Sequence, residues 1–215
     1  MKYISFRLFI ALLTFFVGVT LTAFWIFNNK IPNVPIPKSE ELRASNFAFD
    51  SQIPLSEKIF WEKEILKRFK ETRLEKLPDS TDESYRLVLL PTFDAPVIVR
   101  VWRSGNERFL ITKKLSGEGG FGLKNFGKLS YEKKRPLTEE EWVTFVELLD
   151  QAYFWDMPSL DKDDVPAVDG AEWVVEGAKD KMFHEVNRIT PNTEFRAVCN
   201  YLLKLSGLEA EYEKY

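Results

Sequence analysis

Twenty consecutive residues without a charge, LFIALLTFFVGVTLTAFWIF at positions 8–27, constrain this chain more than any other feature. As a helix rising about 1.5 Å per residue, the run spans roughly 30 Å, the thickness of a bilayer's hydrocarbon core. A cleaved signal peptide would have an apolar stretch of about 7–15 residues and a small-x-small cleavage site, which Leu21-Thr22-Ala23 supplies poorly. The pattern therefore predicts a retained single-pass transmembrane helix within residues 1–30, with Phe24 and Trp25 in an interfacial aromatic belt. Lys2 and Arg7 on one flank nearly balance Lys30, Lys38 and Arg43 on the other. The short amino-terminal flank is the usual layout of an uncleaved export signal. The remainder of the chain is accordingly expected outside the cytoplasm, in the periplasm or at the cell surface.

Prolines at 32, 35 and 37 deny helix and make residues 31–54 a semi-rigid linker. Over residues 55–78 the spacing predicts a charged amphipathic helix, N-capped by Ser56 and running to about Leu77. Leu55, Ile59, Leu66 and Phe69 form its stripe, while 12 of residues 57–76 are charged. Residues 31–215 carry 27 basic and 33 acidic side chains, a net charge of −6. That sign repels phosphate backbones, so no nucleic-acid partner is expected. Cys199 is the only cysteine, which excludes an internal disulfide and a thiolate zinc cluster.

From Tyr85 onward the pattern turns to strands. YRLVLLP, VIVRVWRS, ERFLITKKL and FGKLSYEKK follow one another, with Gly105-Asn106 as a two-residue hairpin turn. Thr138 and Glu141 then spell a capping box, and Trp142, Phe145, Val146, Leu149 and Tyr153 trace one apolar helical face. Two more strands, AEWVVEG and MFHEVNRI, precede a last helix opened by Thr190-Pro191 and closed by Ser206-Gly207. Residues 79–215 are thus expected to form an α+β domain, an antiparallel β-sheet with helices packed on one face.

The chemical signals are sparse. Gly117-Glu118-Gly119-Gly120-Phe121-Gly122 matches a phosphate-binding glycine pattern, yet no helix opens on its last glycine, so a glycine hairpin loop is expected. His184 is the lone histidine, and alternation puts it on one strand face with Met182, Val186 and Arg188, opposite in direction to Glu185. Cys199 falls in a helical core stripe with Phe195, Val198 and Leu202, and no serine sits in a nucleophile elbow. Glu172 and Glu176 share a strand face with Cα atoms about 13 Å apart, wider than a glycosidase pair needs. Asp161, Asp163, Asp169 and Glu172 fit four positions of a calcium loop, but Val165 and Pro166 occupy places needing a ligand and a glycine. No metal site and no cofactor are expected.

Asp169-Gly170-Ala171-Glu172-Trp173, Glu176-Gly177, Phe183-His184-x-Val186-x-Arg188, Pro191 and the closing Leu202-Leu203-x-Leu205-Ser206-Gly207-Leu208 resemble bacterial exported or membrane-anchored proteins of uncharacterised function. The resemblance covers about forty residues and carries no activity with it; Phe183 stands where those proteins have a tyrosine. It implies an extracytoplasmic bacterial setting and singles out Trp173, Glu176, His184 and Arg188. With Gly119, Gly120 and Phe121 of the glycine loop, these form the candidate surface for a protein partner. The expectation is a membrane-anchored binding or assembly module. The alternatives are a tethered hydrolase using Glu172 or Glu176 with His184, and an immunity or inhibitor protein.

Overall fold

The computed structural model describes residues 63–76, 81–118, 126–161, 163–164 and 170–215. Its centre is a six-stranded antiparallel sheet in the order β4-β3-β2-β1-β5-β6. The strands are β1 (Glu83–Pro91), β2 (Val97–Ser104), β3 (Glu107–Leu115), β4 (Leu129–Pro136), β5 (Ala171–Lys179) and β6 (Met182–Arg188). An α+β fold is thereby established. β2 and β3 meet at the expected hairpin, where Gly105 takes the left-handed φ of +57° that the tight turn demands. The two strands read late in the sequence, β5 and β6, form the second hairpin and join the sheet through β5 against β1.

Alternation splits the strand side chains between two faces. On one face, Tyr85, Leu87, Leu89, Val97, Val99, Val101, Trp173 and Val175 pack beneath α1 (Glu139–Gln151) and α2 (Thr193–Ser206). Thr138 caps α1 with the complete capping box, its side chain accepting from the Glu141 N–H while the Glu141 carboxylate accepts from the Thr138 N–H. Asn192 rather than Thr190 caps α2, accepting from the Phe195 N–H. Trp142, Phe145 and Leu149 of α1 and Phe195, Val198, Leu202 and Leu203 of α2 are buried, as their spacing implies. Cys199 lies among them, and burial pushes its thiol pKa up, which leaves it an inert core residue.

The other face is covered too, which corrects the expectation of helices on one side only. A helical segment at residues 63–68 and a 3-10 turn at Leu74–Lys76 lie there. Ile65, Leu66 and Phe69 bury themselves against Val88, Ile98, Leu115 and Val174 in a second, smaller core. The helix also stops earlier than its charge and stripe pattern suggested. Lys70 turns into the left-handed region at φ +54°, and the carbonyls of Phe69 and Lys70 accept from the Lys113 ammonium at 3.0 and 3.2 Å. A buried lysine on the sheet thus takes the carbonyls that continued helix would have used.

Among the described residues no helix is long and apolar enough to cross a membrane. The apolar run at 8–27, the linker at 31–54 and the start of the 55–78 segment lie outside them, as do Gly119, Gly120 and Phe121.

Candidate functional site

The four side chains singled out on β5 and β6 divide between the two faces. Trp173 is 1% exposed in the larger core, with the Arg196 guanidinium 5.1 Å from its ring centre. Arg188, its partner across the β5–β6 ladder, is also buried. Its guanidinium donates to the carbonyls of Pro158, at 2.7 Å, and Ser159, at 3.2 Å. His184 sits two positions along on the same face, half-buried, opposite Gly177. A Cβ at Gly177 would lie 2.8 Å from the Phe154 ring, so only glycine lets Phe154 press against His184. Glu176 points through the opposite face. The tethered-hydrolase geometry fails here, since the sheet separates Glu172 and Glu176 from His184.

Each of those carboxylates has a structural partner. Glu172 accepts from the Asn187 side-chain amide. Burial raises its pKa to about 7, the Asn187 bond opposing and the nearby Asp164 charge assisting. Asp164 in turn holds the end of β6, accepting from the N–H groups of Ile189 and Thr190 at 2.6 and 2.7 Å. The acidic loop that resembled a calcium site thus spends one carboxylate on a strand end, and no metal-ligand cluster occurs among the described residues.

Glu176 belongs to a charged row that sequence reading missed. The register places Arg100 of β2 opposite Arg86 of β1, Arg86 opposite Glu176 of β5, and Glu176 opposite Glu185 of β6. Arg86 Nε donates to Glu176 Oε2 at 2.5 Å, and Arg86 Nη1 donates to the Thr72 carbonyl at 2.8 Å. From the covering segment, Glu71 reaches Arg100 at 2.9 Å, Lys113 at 2.7 Å and Arg86 at 3.4 Å. Burial alone would raise the Glu71 carboxyl, but Arg100, Arg86 and Lys113 together hold it below its ordinary value. The visible signal is a single charge within each of YRLVLL, VIVRVW, WVVEG and HEV, which only strand pairing aligns.

Beside β6, the described residues leave a ridge open to solvent. α1 ends at Gln151 with Ala152 as its C-cap, which corrects the expectation that Tyr153 continues the buried helical face: Tyr153 has φ +51°, a left-handed conformation rare for an aromatic residue. Its ring is 74% exposed. The next turn, Phe154–Asp156, sends Phe154 inward and stacks Trp155 against His184, ring centres 6.1 Å apart. Residues 157–159 then run along β6. Met157 O accepts from His184 Nε2 at 3.0 Å, and Ser159 O accepts from the Asn187 N–H at 2.8 Å. A carbonyl can only accept, so the His184 proton resides on Nε2. Burial lowers the His184 pKa against the opposing pull of the accepting Met157 and Phe154 carbonyls, which keeps the ring neutral at neutral pH.

Met182, 56% exposed, continues the ridge on the face of β6 that carries His184. Behind it lies an open recess of about 530 Å³ between the 3-10 turn at Leu74–Lys76, the start of β1 and the β5–β6 turn, with Leu74, Asp82, Met182 and Phe183 among its walls. The chemistry on offer is aromatic stacking, an adaptable thioether and one fixed imidazole, a set suited to contact rather than to bond cleavage. Comparison with known proteins returns no matching family model and no matching curated protein.

Proposed function

We propose that this chain is a single-pass, membrane-anchored binding or assembly module whose α+β domain works outside the cytoplasm and engages a protein partner without catalysis. The observation that carries the reading is the ridge in which exposed Tyr153 and Met182 flank half-buried Trp155 and His184, the last two packed from behind by the core. Such side chains, anchored from behind by a packed core, are the kind that dominate protein interfaces. The left-handed Tyr153 supports it further: its backbone closes α1 on the Asp150 carbonyl and opens the next turn by accepting from the Asp156 N–H, work that glycine does without strain, yet an exposed tyrosine holds the place at a cost of about 1–2 kcal/mol. The charge-free run at 8–27 supports the anchor, and the resemblance on Asp169 to Leu208 supports the bacterial exported setting. An immunity or inhibitor role is one form such binding would take.

Crosslinking in native membranes, followed by purification of the full chain, tests the ridge. Tyr153→Gly relieves the strained backbone, so it is expected to raise unfolding stability by about 1 kcal/mol while abolishing the crosslinked species. Met182→Asp is expected to abolish it as well, with the fold intact by circular dichroism. A crosslinked partner that survives both substitutions removes the ridge from the proposal.

A further inference from the structure

The two edges of the sheet are finished differently. Beside β6, residues 157–159 take the Asn187 N–H, the His184 ring and the Arg188 guanidinium, so that edge is sealed. At β4 the sheet ends, among the described residues, without a neighbour on its outer side. Outside the β3–β4 ladder, no hydrogen bond among the described residues uses the backbone N–H groups of residues 130–135. Eight residues of strand present roughly 26 Å of such edge.

The side chains along it carry a specific charge pattern. Lys133 and Lys134 are exposed and have no carboxylate partner among the described residues. The neighbouring Arg135 is occupied, paired with Glu141 at 2.9 Å and donating to the Leu205 carbonyl. Alternation sends Lys133 and Lys134 to opposite faces. Lys134 is fixed at the rim, its ammonium 4.2 Å from the Phe109 ring centre and 4.9 Å from that of Trp102. An open edge is an aggregation hazard, and lysines are the usual guard. Another copy of β4 offers these two lysines a single carboxylate, Glu132, whereas a strand with two adjacent acids sets one carboxylate opposite each ammonium.

We propose that the β4 edge is a docking site for an extended acidic segment of a partner protein, which adds to the sheet as a seventh strand with an adjacent acidic pair facing Lys133 and Lys134. This site lies at the opposite edge from the Tyr153 ridge and stands independently of it.

Fluorescence anisotropy on the detergent-solubilised full chain tests the site with the labelled peptide TVTVEEVTVT, its lysine counterpart TVTVKKVTVT, and the acidic peptide N-methylated at alternate backbone nitrogens. The acidic peptide is expected to bind, to weaken as salt rises, and to slow amide exchange in residues 130–135. Lys133→Glu with Lys134→Glu is expected to weaken it about ten-fold and to confer binding of the lysine peptide. Lys133→Gln with Lys134→Gln, which leaves the strand neutral, is expected to fall between. Equal binding of the methylated peptide, failure of the acidic peptide to saturate, or indifference to both double variants overturns the proposal.

Discussion

Glu172 shows how one side chain links pH to stability in this domain. Its carboxyl, sheltered behind Asn187 and near Asp164, has a folded-state pKa raised to about 7 from a reference of 4.5. The folded protein therefore holds this proton more tightly than the unfolded chain does. The favourable contribution is complete below pH 4.5 and disappears as pH rises through 7, so the ionised group is a burden in alkali. Glu172→Gln keeps a hydrogen-bonding side chain without the charge. It is expected to stabilise the domain by about 2 kcal/mol at pH 8 and to match the parent below pH 4.5, as read from urea unfolding at the two pH values. His184 works in the opposite direction. With its folded pKa lowered by burial, stability is lost as pH falls below the reference of 6.5, and the two residues partly cancel between those limits.

At the level of elements, Glu71 ties the covering segment to the sheet. Three cations from three different strands, Arg86, Arg100 and Lys113, meet on this carboxylate. Replacing a buried ionic cluster wholesale is often harmless, but removing one member leaves the others charged and dry. Glu71→Gln is expected to cost about 3–5 kcal/mol and to speed amide exchange in residues 63–76 ahead of the strands. Lys113→Met in the same background is expected to recover part of that loss, and a strictly additive double-mutant cycle argues against the coupling. The same segment marks where sequence reading ran out. β1 to β6 and both long helices were legible, because alternation, the Gly105 turn and the Thr138–Glu141 box are local signals. Nothing local announces that Lys70 adopts a left-handed φ, so the helix was extended past its true end. Sequence singles out Glu176 as a surface candidate, and no local signal marks Arg86, Arg100 or Glu176 as covered positions on the sheet. Their burial is decided by Ile65, Leu66 and Phe69 arriving from elsewhere in the chain. The candidate site was half legible for the same reason: period two put His184 and Arg188 on one face correctly, but it could not say that Trp173 and Arg188 are inside and Tyr153 outside.

For the whole molecule, the domain and the apolar run make different demands on their surroundings. The sheet is shielded on both faces, by α1 and α2 on one side and residues 63–76 on the other, and its described surface needs no lipid. The run at 8–27 has no such shield available from its own sequence, because it is apolar on every side of a helix and belongs in a bilayer or a protein core. Insertion of twenty uncharged residues with eight Leu, Ile or Val side chains among them is favourable on the transfer scales, so under the proposed reading a retained run is expected to hold the chain in membranes. Full-length protein is therefore expected to stay in the membrane pellet after alkaline carbonate extraction at unchanged mass, while a chain beginning at Ile31 is expected in the supernatant with the same urea midpoint. Protease added to intact cells whose outer barrier is opened should reach the domain of the full chain. Soluble recovery of a shortened native product would show that the run is a removed export signal, and protection from the protease would place the domain on the cytoplasmic side.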